Sequence, residues 1–154
     1  MLRADAVADD LVVVVRAAPA SVEDAINDIA VDALESGQTY VVQNERGERE
    51  PLFGVSVFAL RAGVPLIELL SRFDEAPSYL EAQVGALQSA RFVVLPTGAN
   101  VDHFDVQLLS GQAEVTDEPA AVVWEAAARL VAAAGALRPN PAYSGGQHPF
   151  SEGQ

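Results

Sequence analysis

The reactive side chains in this sequence are few. There are two histidines, His103 and His148, and no cysteine, so thiolate nucleophiles, disulfides and thiolate zinc sites are excluded together. An imidazole changes charge near neutral pH and can act as a general base or donate a hydrogen bond to a substrate. His103 has an acid on either side, Asp102 and Asp105, able to set its tautomer. The plainer reading makes it a polar residue on the wet face of an edge strand. A metal is not expected, because no spacing of carboxylates around His103 suggests a site. The sequence contains no glycine-rich phosphate loop, no H-E-x-x-H and no G-x-S-x-G elbow. Ser56, in GVSVF, lacks the second glycine and continues as a strand.

Arg16 ends a run of valines. An arginine there must reach solvent, an anionic ligand or one of the many carboxylates, and a salt bridge is its plainer role. Ser56 is the sole polar residue of LFGVSVFAL, and Gln112-Ala113-Glu114 follows a Ser110-Gly111 turn. In this order the chain resembles ADP-ribosyltransferase-like toxins of the Arg–Ser–Glu class. The family's Ser-Thr-Ser motif is reduced here to Ser56 followed by Val57. The resemblance implies NAD as cofactor, with Arg16, Ser56 and Gln112 on the cofactor-binding side. It implies Glu114 stabilising an oxocarbenium-like sugar, with His103 in the same cleft. It also sets a geometric requirement: Arg16, Ser56 and Glu114 must line one pocket.

The charge favours a different class. With 22 acids against 9 bases the formal net charge is −13. A field of that sign repels phosphate backbones and anionic lipid heads, so neither a nucleic acid nor a membrane is an expected partner. A basic protein partner fits, as for immunity or antitoxin-like proteins. The leading expectation is therefore a small acidic cytoplasmic interaction or accessory protein without catalysis or cofactor, a possible toxin–antitoxin component. The NAD-using transferase is the alternative, so enzymatic activity is left open. MLRADAVADD has no apolar run of the secretion type, and no apolar run approaches the roughly 18 residues of a membrane span.

These residues must be positioned by a short series of elements. LVVVV and Leu52–Leu60 are nearly continuous apolar runs, which predicts strands dry on both faces in the middle of one sheet. Ser21 and Asp24 have capping-box spacing ahead of a helix with an i, i+3, i+4 stripe, with Gly37 placed as its stop. Residues 39–43 predict a strand pairing as a hairpin with the 52–60 strand, bent near Pro51. A helix follows Pro65. Ser78 and Glu81 again have capping-box spacing, predicting a third helix to about Ala90. RFVVL from Arg91 is a strand. HFDVQLL alternates, turning His103, Asp105 and Gln107 one way and Phe104, Val106 and Leu108 the other. That pattern predicts an edge strand through which two copies could pair as a homodimer. A further short strand fits Ala113–Thr116, and a last helix runs from Asp117 and Pro119 to about Ala134.

The layout is a flexible leader over 1–9, one domain over 10–135 and a disordered Pro/Gly-rich tail over 136–154. The fold class is α+β, with a mixed, largely antiparallel sheet of about five strands and helices mainly on one face.

Overall fold

A computed structural model describes residues 2–3, 13–44, 46–97, 102–109 and 119–144. The valine run sets the architecture. Strand β2, Val13–Ala18, turns Val14 and Val15 to opposite faces, and both are buried, at 2% and 0% exposure. A strand dry on both faces needs neighbours on both edges and a layer on each side. β2 has them, pairing antiparallel with β5, Gly54–Ala59, and with β6, Ser78–Gln83. Strands β7 (Val93–Pro96), β8 (His103–Gln107) and β9 (Arg138–Pro139) complete a six-stranded sheet in the order β7-β8-β5-β2-β6-β9. Each neighbouring pair in it is antiparallel. A smaller sheet, ordered β1-β3-β4, holds Leu2–Arg3, Val41–Gln43 and Arg49–Pro51. Its β1–β3 pair is parallel, so the fold is α+β with mixed but largely antiparallel pairing.

Helices α1 (Val22–Thr39), α3 (Val84–Ser89) and α4 (Pro119–Ala134) cover one face of the large sheet. Val14, Val55, Val57, Phe104 and Val106 meet Ile29, Ala30, Ala33, Val123 and Ala126 there. Helix α2, Leu66–Leu70, and the 3₁₀ turn Ser71–Phe73 cover part of the other face, over Val15, Phe58 and Tyr79. The two apolar runs are thus the central pair of strands. They differ in one respect: β5 is dry only on the face carrying Val55, Val57 and Ala59, while Ser56 and Phe58 are half-buried. Among the described residues no helix is long and apolar enough to cross a membrane.

Helix α1 begins as the sequence indicates, with the Ser21 hydroxyl accepting from the Asp24 amide at 3.1 Å. It does not stop at Gly37. It runs on to Thr39, and Gly37 serves packing instead. A Cβ at this position would lie 2.3 Å from the buried Phe53 ring. We therefore expect Gly37→Ala to destabilise the protein. Better helix propensity gains about 1 kcal/mol, while overpacking a well-filled contact costs roughly 1–3 kcal/mol. A thermal melt should fall by a few degrees, whereas propensity alone would raise it.

Four further expectations are corrected. Ser78–Gln83 is not the start of a helix. It is β6, in register with β2 over six residue pairs from Val13↔Gln83 to Ala18↔Ser78. A capping box contributes about 1 kcal/mol. Filling the open edge of the central strand while burying Tyr79, Leu80 and Ala82 outweighs it. Second, β3 does not pair with the 52–60 strand. It pairs with β4, Val42 opposite Glu50, and the chain leaves the small sheet after Pro51 to enter the large one. Third, β8 is no edge. It lies between β5 and β7, so it offers no free backbone for a homodimer through 103–109.

Fourth, Arg91 lies in the turn closing α3 rather than in a strand, with φ of 72°. The Arg91 amide donates to Gln88 O and the Phe92 amide to Leu87 O. Left-handed backbone costs a non-glycine residue about 1 kcal/mol, and Arg91 is exposed. Arg91→Gly should therefore raise the melting temperature by about 2 °C, checked by calorimetry.

The folded part continues past residue 135. Arg138–Pro139 pairs with β6, and buried Asn140 donates from Nδ2 to Phe73 O at 3.0 Å and Ala76 O at 2.9 Å. The expected strand at 113–116, His148 and the last ten residues of the tail lie outside the described residues, as do residues 4–9 of the leader.

Candidate functional site

Sheet register brings the polar groups together. β5 and β8 pair Ser56 with Asp105 and Phe58 with His103, so all four side chains share one face, opposite to that of Val55, Val57, Phe104 and Val106. β7 and β8 pair Leu95 with Asp105, and just past the end of β7 the Thr97 amide donates to His103 O at 3.2 Å. Ser56, Thr97, His103 and Asp105 floor a cleft of about 630 Å³. Its walls are Asp32, Glu35, Ser36 and Thr39 from the second half of α1 and Tyr40 just past its end, with Leu52, Gly54 and Val55.

A chain of hydrogen bonds crosses the floor. His103 Nε2 is 3.1 Å from Ser56 Oγ, and His103 Nδ1 is 2.6 Å from Thr97 Oγ1. The Thr97 hydroxyl in turn bonds the Asp105 carboxylate. Phe58 packs edge-on to the imidazole at 5.3 Å and is itself against Phe73 at 5.1 Å, which restrains the ring. Asp102 pairs with Arg61 at 3.1 Å and Arg72 at 3.9 Å.

The direction of the chain follows from what each group can donate. With Asp105 ionised, its carboxylate can only accept, and in that state the Thr97 hydroxyl gives it its proton. Thr97 Oγ1 must then accept, so Nδ1 carries the imidazole proton. Nε2 is left bare and accepts from the Ser56 hydroxyl. This is the tautomer a serine needs for its proton to be removed.

Asp105 keeps its proton to higher pH than an ordinary carboxyl, chiefly because it is buried. The Thr97 hydrogen bond and the charges of His103 and Arg16 oppose that shift, and Asp32 adds to it. The folded pKa lies above the unfolded one, so ionised Asp105 weakens the fold at neutral pH. The penalty fades as pH falls through the folded pKa. Asp105→Asn should therefore melt higher than the wild type at pH 7, with the gap narrowing on acidification. A gap that widens toward low pH would contradict this.

Arg16 does not line the cleft. Its Nη1 donates to Ser56 O at 2.8 Å, and its Nη2 reaches Asp32 at 2.6 Å and Asp28 at 3.0 Å on α1. Gln112 and Glu114 lie outside the described residues, so the structure brings together Ser56 and His103, with Arg16 behind the Ser56 backbone. Thr97 escaped sequence reasoning; its only sign there was a hydroxyl directly after the Pro96 strand end. Asp32 and Glu35 escaped it too, being ordinary acids on an amphipathic helix. Among the described residues no group of three or more His, Asp or Glu could hold a metal ion. No protein-family model, curated protein or solved structure matches the chain.

Proposed function

We propose that the protein is an enzyme that transfers an acyl or similar electrophilic group through Ser56, with His103 as general base. The observation that carries this is the hydrogen-bonded chain Ser56–His103–Thr97–Asp105 on the floor of an open cleft. In the first step Ser56 Oγ attacks the substrate carbonyl carbon as Nε2 takes its proton. The imidazolium passes that proton to the leaving group. Water, deprotonated by the same nitrogen, then releases the acyl group from Ser56. Asp105, acting through Thr97, supports the positive charge that His103 carries between these steps.

A fluorophosphonate probe and p-nitrophenyl acetate test the reading. The wild type should be labelled at Ser56, located by peptide mass spectrometry, and should turn the ester over. Ser56→Ala should do neither. A folded wild type that ignores both reagents counts against it.

A second reading, the NAD-using transferase, is favoured by one contact: Arg16 meets the Ser56 carbonyl directly. Two features weigh against it. Arg16 is already engaged by two aspartates, and a dinucleotide's phosphates would face Asp32, Glu35 and Asp105 in the cleft. NAD turnover that Glu114→Gln abolishes would favour it over acyl transfer. Among the described residues no comparably specific surface supports a protein partner, the class the charge suggests.

A further inference from the structure

The ladder between β2 and β5 stops abruptly beside the cleft. Its register pairs Val14 with Ala59 and Val15 with Phe58, and the Leu60 amide donates to Val13 O at 3.0 Å. In an antiparallel pair the hydrogen-bonded positions recur every second residue. They would therefore fall at 13/60, 15/58 and next at 17/56. The last pairing is not made, so the Ser56 carbonyl lacks its ladder donor from β2. The Arg16 guanidinium supplies one instead, Nη1 to Ser56 O at 2.8 Å.

A carbonyl bonded by one flexible side chain would hold Ser56 poorly. This guanidinium is not free to swing. Asp32 and Asp28 grip its other nitrogen from α1, and the Arg16 side chain is 12% exposed. A planar fork with several fixed donors suits this three-way junction, and an ammonium does not. α1 also supplies one wall of the cleft. Arg16 thus joins three things: the strand from which the ladder departs, the backbone of the serine and the wall facing it.

We propose that Arg16 is the positioning residue for Ser56, setting its hydroxyl against His103 Nε2 in place of the missing strand pairing. This rests on the reading of Ser56 as a nucleophile, but it makes a claim of its own about geometry. Without the guanidinium the 56–57 peptide either turns away or lets β2 close onto it. Both outcomes move Oγ off the imidazole.

The test compares wild type with Arg16→Met and Arg16→Lys. Labelling by the fluorophosphonate is resolved into binding and inactivation rate, and the His103 ring nitrogens are read by ¹⁵N NMR. Arg16→Met should slow inactivation by roughly tenfold to a hundredfold with binding unchanged. Its Nε2 resonance should move to the position seen in Ser56→Ala. Arg16→Lys should recover only part of the rate. A general loss of stability would not reproduce the shift of that one resonance. Should Arg16→Met fail to fold, the Asp28→Asn/Asp32→Asn pair carries the same expectation, because those side chains are half-exposed. An unchanged rate and an unmoved Nε2 resonance would overturn the proposal. A wild type that is never labelled would sink the nucleophile instead, and the ¹⁵N comparison would still decide the role of Arg16.

Discussion

Val14→Asp leaves the chain unfolded. Val14 is 2% exposed on the central strand, between Ala59 and Ala82 on the neighbouring strands. Its face is closed by Ile29 and Ala30 of α1 and by α4. Arg16, two residues along the same strand, is already held by Asp28 and Asp32. A carboxylate at position 14 would have no partner. Burying an unpaired polar or charged group costs several kcal/mol, set against a total of roughly 5–15 kcal/mol for a domain. Circular dichroism should show no cooperative thermal transition. A soluble variant that unfolds cooperatively would mean that this position is not dry, and the central pairing of β2 with β5 would fall with it.

The second large effect is chemical. His103→Gln should lower the rate of Ser56 acylation by roughly 10²- to 10⁴-fold, the range expected on removing a general base. The melting temperature should change little, because His103 is half-buried and glutamine can still bond Thr97 or Ser56. Stopped-flow hydrolysis of p-nitrophenyl acetate checks this. A variant that keeps the wild-type rate assigns the proton transfer elsewhere.

Periodicity made the core legible in the sequence. Four valines and LFGVSVFAL could only be inner strands, and HFDVQLL turned His103 and Asp105 to one face before any pairing was known. What stayed hidden was pairing partner and register. The segment from Ser78 carries a capping box, a local signal that loses to the vacant edge of β2. Gly37 looks like a helix stop because its sequence neighbours say nothing of the Phe53 ring above it. The same blindness covers the site. Ser56 and His103 lie 47 residues apart, and they meet only because β5 and β8 pair in the register that sets Phe58 opposite His103. Arg16 was legible as a cation needing a counter-charge, and its role at the Ser56 carbonyl was not, because it depends on where a ladder ends.

The proposed chemistry turns on which nitrogen of His103 carries the proton. Long-range ¹H–¹⁵N correlation of the imidazole in the intact protein at neutral pH measures this directly. The hydrogen-bond chain predicts a protonated Nδ1 and a bare Nε2, with the Nε2 signal shifting in Ser56→Ala and the Nδ1 signal shifting in Thr97→Val. A proton found on Nε2 would make His103 a donor to Ser56, leaving the serine unactivated and the proposed chemistry without its base.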